Sequence, residues 1–590
     1  MINPRLGRGE AKSGTAAVHG TPVVTSGRDQ RAPRDKVTRR AAGAPGGCPT
    51  IIGCAGLRRD PEPRTQNPEP RTQNPEPRTQ NPEPDDACCA RPTAAPAHPL
   101  VSAVPAGFGQ NMVSGSMWMI GSRWAMRLVG LVSTMILARL LAPDDFGLIA
   151  MVMLGYGLLE TISYAGVDLA LMRGGFESRD YFDTAWTVQI MQGLFIALCL
   201  LLSAPLIAAY FTEPRAVAVI FWVAARAVIE GLQNIGVVAF RKELNFAKEF
   251  RFTLYVKLLN FIIVVGAAFW LRNYWALLLG SMAAAVIGVV LSYLMHPYRP
   301  RLSLAKIREI WSFSQWLMIS RVGSFLNRKC DEFIVGGVAG SAAMGNYHVA
   351  NELATLPSSE LVMPIRRAMF PTLSKMAGQK DEFVAAVTAS FSAVAALCLF
   401  VSFCLLLVAP ELVSVVLGNK WLAAAPLIQW LALFGGFSAL VLVLEVPLWV
   451  AGKTNLSAAQ TWLELAAIVP LTLLAVQHFG VEGAAAARAA VSVAMVPVMM
   501  LLTARSGSVP FASLWAALWR PLCAALAMAA VAHWLPWSLL PSIPLRLAAK
   551  ITWCVFSYPA LLLALWWLSG QPAGFEKSAI QFSKARLRRA

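Results

Sequence analysis

From about residue 113 to about 568, apolar windows long enough to cross a bilayer follow one another, separated by short polar connections. Fourteen are legible, at approximately 114–140, 146–168, 184–211, 216–240, 251–271, 274–295, 312–338, 343–370, 384–408, 422–450, 456–477, 481–504, 515–535 and 546–568. The pattern predicts an all-α polytopic membrane protein with about 14 transmembrane helices. Basic residues then orient it. One alternate set of connections carries Arg173 and Arg179; Arg241, Lys242, Lys248 and Arg251; Arg299, Arg301, Lys306 and Arg308; Arg366, Arg367, Lys375 and Lys380; Lys453; Arg505; and the tail KARLRRA. The opposite set carries Arg215, Arg272, Lys420, Arg546 and Lys550. By the positive-inside rule both termini are expected to be cytoplasmic, which requires an even number of spans.

Composition agrees with the pattern. Of 590 residues, 56% are hydrophobic and 14% charged, too apolar for an ordinary soluble domain. The net charge of +18 does not point to nucleic acid, because the basic residues sit in short segments between apolar runs and no aromatic-interleaved basic module occurs. Ten cysteines are scattered without metal-ligand or CxxC spacing, so neither a disulfide framework nor a metal or other cofactor is expected. Residues 1–111 differ in kind. They are rich in Pro, Gly, Ala and Arg, hold three successive copies of RTQNPEP between Arg64 and Pro84, and are expected to be disordered. With no apolar stretch suited to a signal peptide, and with Met112 and Met117 just before the first apolar window, this extension reads as a start site placed too early.

An internal repeat organises the remainder. At an offset of 198 residues the first window falls on the seventh without a gap: Trp118 on Trp316, Ser122 on Ser320, Arg123 on Arg321, Leu128 on Leu326, Ile136 on Ile334 and Gly147 on Gly345. The offset spans an even number of helices, so both copies run in the same direction through the membrane. Parallel repeats of this kind build transporters with the substrate site between the halves. The expected division is an extension at 1–111, an N-terminal six-helix lobe at 112–310, a C-terminal six-helix lobe at 311–505, and two further helices with a basic tail at 506–590.

Within this apolar frame the charges stand out. An ionisable residue at bilayer depth costs about 2.5 to 3.5 kcal/mol on insertion scales, so it faces the bundle interior or a wet cavity. On a wheel of 100° per residue, Arg123, Arg127, Gly130 and Thr134 share one face of the first helix. In the seventh, Arg321, Arg328 and Glu332 form one line, flanked by Ser324 and Asp331 on one side and Lys329 on the other. These stripes are expected to face one another across a central cavity. Arg321, Arg328 and Asn327, with Arg226 and Lys257, join Arg123 and Arg127 as candidate substrate contacts, while Asp331, Glu332 and Glu230 are candidates for ion coupling or charge balance. Pairing of Arg328 with Asp331 or Glu332, and of Arg226 with Glu230, is an equally available structural role. Arg123 and Arg127 have no acid nearby on their own helix, so an anion or an acid on another helix must compensate them. Glu352, Glu360, Glu445, Glu464 and Glu482 read as helix contacts or near-interface residues, with proton relay as the other reading. Arg139 reads as an anchor near a helix end, and Trp311 and Trp421 as interface-belt anchors.

Four segments, TMILARLLAPDDFGLIAM (134–151), GVDLALMR (166–173), FRKELNF (240–246) and PIRRAMFPTLSKM (364–376), together resemble the polysaccharide transporter, or oligosaccharide flippase, branch of the multidrug/oligosaccharidyl-lipid/polysaccharide exporter superfamily. Within it the chain is most similar to exporters associated with colanic acid and teichuronic acid synthesis. The likeness covers about residues 113–505. It implies two six-helix lobes related by a pseudo-two-fold axis and alternating between inward-open and outward-open states. It also implies movement of an undecaprenyl-diphosphate-linked oligosaccharide across the bacterial inner membrane, beside a polymerase and glycosyltransferases. A diphosphate suits forked arginine donors. The chain has no Walker motif, so energy is expected from an ion or substrate gradient. The alternatives are a cation-coupled multidrug exporter of the same superfamily, which calls for acids rather than arginines in the cavity, and a membrane polysaccharide polymerase or ligase, which calls for a catalytic acid or base on a substantial loop. The expected class is therefore a transporter and not an enzyme.

Overall fold

The computed structural model describes residues 126–571 apart from 165, 167–170, 172–177 and 243–244, and without the side chains of 241–242, 246, 310–320 and 357. The Pro- and Arg-rich extension, Met112, Met117 and Arg123 lie outside the described residues, as does the side chain of Trp311. Among the described residues there is no strand.

The helices are α1 (residues 126–140), α2 (Pro143–Ser163), α3 (Arg179–Tyr210), α4 (Ala216–Gly231), α5 (Phe246–Leu271), α6 (Trp275–Met295), α7 (Ile307–Pro357), α8 (Met363–Lys375), α9 (Lys380–Leu412), α10 (Ala424–Val450), α11 (Thr454–Arg505), α12 (Phe511–Trp534) and α13 (Ile543–Leu568). Nine of the described helices are long and apolar enough to cross a membrane. Their outward side chains, among them Leu202, Leu206, Trp270, Leu294 and Phe556, are exposed apolar groups. Water would penalise such a surface and hydrocarbon does not. Helix α4 has only 16 residues, and α7 carries the charges discussed below, which is why neither is among the nine.

Two glycines make the breaks that the hydrophobic pattern predicts inside the longest helices. Gly340 in α7 has φ 79° and Gly480 in α11 has φ 63°, values that glycine adopts without the Cβ penalty. They fall in the gaps between apolar windows at 338–343 and 477–481, so each long element is two segments meeting at a kink.

The DDFG segment sets the start of α2. Pro143 occupies the first turn, where its missing N–H costs nothing. The Asp145 carboxylate accepts the Ala142 N–H at 3.0 Å and, with its other oxygen, the Tyr274 N–H at 2.9 Å, so one acid caps α2 and ties it to the start of α6. Gly147 serves packing across the repeat. A Cβ built there would sit 1.7 Å from the Ser341 carbonyl oxygen, and one built on Gly345 would sit 1.8 Å from the Pro143 carbonyl oxygen. The N-terminal half of α2 and the second segment of α7 therefore meet backbone to backbone.

Other contacts reinforce this junction. Trp421, expected as an interface anchor, is instead fully buried: its indole N–H donates to the Ala138 carbonyl at 2.7 Å and its ring meets Phe146 edge-on at 5.2 Å. A buried indole needs that partner, which outweighs the pull of the headgroups. Arg139 donates to the carbonyls of Val415 and Val416, at a helix end as expected, though onto protein. Ser341 donates to Asp144 and, at 3.2 Å, to Glu213, and Arg215 binds both acids. The last two helices, α12 and α13, pack on α9; Tyr558 donates to the Ala396 carbonyl at 2.8 Å and Lys550 pairs with Glu411 at 2.7 Å.

Candidate functional site

Helix α1 presents Arg127, Gly130 and Thr134 on one face, and that face lines a cavity of about 170 Å³ shared with Lys257 of α5 and Glu352 of α7. Gly130 leaves the room: a Cβ there would lie 3.8 Å from the Lys257 ammonium. The Arg127 guanidinium has Glu360 at 3.9 Å, and its Nε is shielded from water without a hydrogen-bond partner. Lys257 has no ion-pair partner among the described residues. A shielded donor without an acceptor costs about 1 to 3 kcal/mol, so this cavity holds unspent cationic donors where an anion would be stabilised.

A second group lies along α2 and α4. Arg226 binds Glu230 at 2.7 Å, the i,i+4 pairing available from the sequence, and the other Glu230 oxygen accepts the Tyr156 hydroxyl at 3.0 Å. Glu160 lies within electrostatic reach of this pair and of Arg321. Arg321 is exposed and stacks on the Tyr164 ring, 3.5 Å from its centroid, which brings the first segment of α7 against the end of α2.

The line of charges expected along α7 divides. Arg321 and Arg328 are exposed, whereas Asp331 and Glu332 are each 1% exposed. The kink at Gly340 folds the second segment of α7 back, so that residues 347–351 cover residues 331–332. Glu332 takes Lys329 at 2.5 Å, His348 at 3.3 Å and the Asn351 amide at 2.9 Å. Asp331 accepts the Tyr347 hydroxyl at 2.6 Å and faces Arg488 of α11 at 3.5 Å. Neither acid pairs with Arg328, which has no ion-pair partner among the described residues. Asn327 donates to Glu464 at 3.2 Å, and its backbone carbonyl accepts from Arg488 at 2.7 Å.

Arg488, 3% exposed, is a residue that the sequence reading missed. Its signal was available: a lone arginine at the centre of the apolar run GAAAARAAVSVAM. Among the glutamates, Glu445 pairs with Arg366 at 2.6 Å and Glu464 also accepts from Gln460 at 2.9 Å, both as helix contacts. Arg123, the counterpart of Arg321 in the repeat, lies outside the described residues, and Arg127 and Arg321 belong to different groups. Each has its own neighbours, Lys257, Glu352 and Glu360 for the first, Tyr164 and Glu160 for the second.

Residues 136–426 match the family model described as polysaccharide biosynthesis protein. The succinoglycan biosynthesis transport protein ExoT of Rhizobium meliloti (strain 1021) is 25% identical over 324 residues, 54% of this chain and 65% of ExoT, so the match takes in just under two thirds of that relative. The lipopolysaccharide biosynthesis protein WzxC of Escherichia coli (strain K12) is 24% identical, covering 55% of this chain and 67% of WzxC. The teichuronic acid biosynthesis protein TuaB of Bacillus subtilis (strain 168) is 22% identical, covering 55% and 68%. In fold the chain is similar to the lipid II flippase MurJ in an inward closed conformation, with TM-score 0.62, 12% identity, and 76% of this chain and 98% of that one covered. An inward-facing multidrug resistance MATE family transporter gives TM-score 0.50 at 14% identity, covering 65% and 95%.

The all-α architecture of the described residues and these likenesses define a multi-pass membrane protein with the fold that MurJ and the MATE transporter share. Within that fold the chain resembles the family of polysaccharide biosynthesis proteins over residues 136–426, just under half of its length.

Proposed function

We propose that this chain flips an undecaprenyl-diphosphate-linked oligosaccharide, a repeat unit of an exopolysaccharide, capsule or O-antigen, from the cytoplasmic to the periplasmic leaflet of the bacterial inner membrane. The observation that carries the reading is Lys257, without an ion-pair partner among the described residues, beside Arg127, whose Nε has no hydrogen-bond partner although Glu360 lies at 3.9 Å, at one cavity between α1, α5 and α7. A diphosphate supplies the acceptors that they lack. The named roles of ExoT, WzxC and TuaB in polysaccharide synthesis support the substrate class.

With both termini cytoplasmic, the Gly147–Gly345 junction faces the periplasm, and alternating access requires it to part. The lobes that move are residues 112–310 and 311–505, with 506–590 outside them. Arg321 and Arg328 are exposed on α7 and extend the cationic path from the second lobe, while Arg226 is held by Glu230. Asp331, Glu332 and Glu230 balance charge, since each is engaged by a protein cation. That engagement disfavours ion coupling at these three acids, and leaves Glu352, which lines the cavity, as the carboxylate that a cation-coupled exporter would use. Chemistry on the glycan falls to a separate polymerase and glycosyltransferases, so the chain itself acts as a transporter and not an enzyme.

The test is transport by the full chain in proteoliposomes that contain a fluorescent undecaprenyl-diphosphate-linked sugar. An impermeant reductant should bleach the pool of the inner leaflet only when the protein is present. An inner pool that stays protected beside correctly inserted protein would overturn the reading.

A further inference from the structure

A larger cavity, of about 340 Å³, opens between α5, α6 and the end of α4, and Lys257 lines it as well as the first. Helix α6 makes the space with small residues, Ala284, Ala285 and Gly288. On the opposite wall Phe252, Val256 and Asn260 recur at helical spacing with Lys257 beside them, and Gln233 closes the end.

The polar groups here are of an unusual kind for a membrane bundle. The Gln233 side-chain amide makes no hydrogen bond among the described residues, and its Nε2 lies 3.9 Å from where a Cβ on Gly288 would stand. The Asn260 Oδ1 is shielded from water and also lacks a partner. Both are neutral amides, each with a donor and an acceptor side by side. The carboxylate at the rim, Glu230, already has both oxygens engaged, by Arg226 and Tyr156, so the pocket is not built to take a cation. Neutral paired donors and acceptors beside the Phe252 ring fit the adjacent hydroxyls and the C–H face of a sugar ring. The volume lies within the range of about 300 to 1,000 Å³ of small-molecule pockets.

We infer that this pocket holds the sugar that adjoins the diphosphate of the lipid-linked substrate, with Lys257 at the junction between the phosphate and sugar subsites. The inference rests on the flippase reading and adds a place where the glycan is read. Gly288 sets the room for the ring, and Gln233 and Asn260 supply the hydrogen bonds.

The experiment measures binding of four probes to the full chain in nanodiscs: bare undecaprenyl diphosphate, and the same lipid carrying glucose, galactose or N-acetylglucosamine. At least one sugar-bearing lipid should bind tenfold more tightly than the bare lipid. Gly288→Leu, which fills the pocket, and the milder Gln233→Ala and Asn260→Ala should remove that margin while binding of the bare lipid stays within twofold. A margin absent from the wild-type protein overturns the inference, as does one that survives the substitutions or an equal loss for bare and sugar-bearing lipids. The bare-lipid arm keeps the two readings apart: wild-type protein that binds no lipid diphosphate at all fails the flippase reading itself, whereas binding without a sugar margin fails only the pocket.

Discussion

Gly147 and Gly345 face one another across the repeat, and each leaves the other's helix no room for a side chain. The obstacle is reciprocal: the Ser341 carbonyl stands over Gly147 and the Pro143 carbonyl over Gly345, at 1.7 and 1.8 Å from the missing Cβ atoms. Gly147 and Gly345, and likewise Pro143 and Ser341, are separated by the same offset of 198 residues that aligns the halves of the sequence. Because backbone cannot swing aside, Gly147→Ala or Gly345→Ala must push α2 from α7, at a cost of about 1 to 3 kcal/mol or more. Either substitution should lower Tm in detergent and slow disulfide trapping between Asp144→Cys and Ser341→Cys. Gly266→Ala, with nothing within 4 Å of its Cβ, is the control and should lower neither, since alanine in a helix interior is if anything more stable than glycine.

The Arg488–Asp331 pair should behave as a buried unit. Removing one partner strands a charge that is 1% to 3% exposed, a loss of about 3 to 5 kcal/mol, whereas replacing both with apolar groups avoids the stranded charge. Arg488→Leu and Asp331→Leu are each expected to abolish monodisperse protein, and the double variant to recover a substantial part of it. A double variant no better than the singles would show that the pair does not act together.

Outside the spans, Ser341 reaches a cluster sensitive to acid. The Arg215 guanidinium, bonded to Glu213 at 2.6 Å, holds that carboxyl below the usual carboxylate range. A lowered native value means that Glu213 stabilises the fold fully above its unfolded value, about 4.3, and that the contribution disappears as pH falls through the lower native value. Spin-label distances between α2 and the second segment of α7 should stay constant from pH 8 to about pH 5 and lengthen only below about pH 4. Glu213→Gln should shrink the acid-dependent step to the part carried by Asp144, which Arg215 also binds, and lengthening that begins near neutrality would contradict it.

How far the sequence foretold this molecule depends on the reach of each interaction. Local signals held. The gaps at 338–343 and 477–481 became kinks because Gly340 and Gly480 take positive φ, and Arg226 and Glu230 paired because four residues bring them to one side of a helix. The equivalence of Gly147 and Gly345 was legible as a repeat, but not that the two would touch. Contacts between distant segments escaped. A helical wheel keeps Glu332 beside Arg328, yet the fold-back at Gly340 places His348 and Asn351 over Glu332 instead. Trp421 lies at a span end like an interface anchor, and only the third dimension supplies Ala138 as its acceptor. The small residues of α6 carried no sign of a cavity, since alanine and glycine also serve close helix packing.

Arg127 and Lys257 differ from Arg226 in a way that binding can resolve. The first two line the cavity with donors to spare, so Arg127→Gln and Lys257→Gln should each weaken binding of bare undecaprenyl diphosphate about tenfold, or about 1.4 kcal/mol, with protein yield preserved. Their loss should also flatten the dependence of binding on salt, because fewer charges remain to be screened. Arg226 is spent on Glu230 and stacks over Tyr156 at 5.4 Å, so Arg226→Gln leaves a carboxylate uncompensated and should cost stability before affinity. Arg127→Lys separates charge from geometry: restored charge without the guanidinium fork should recover part of the affinity. Unchanged lipid binding in both Arg127→Gln and Lys257→Gln would remove the basis for an anionic substrate in this cavity.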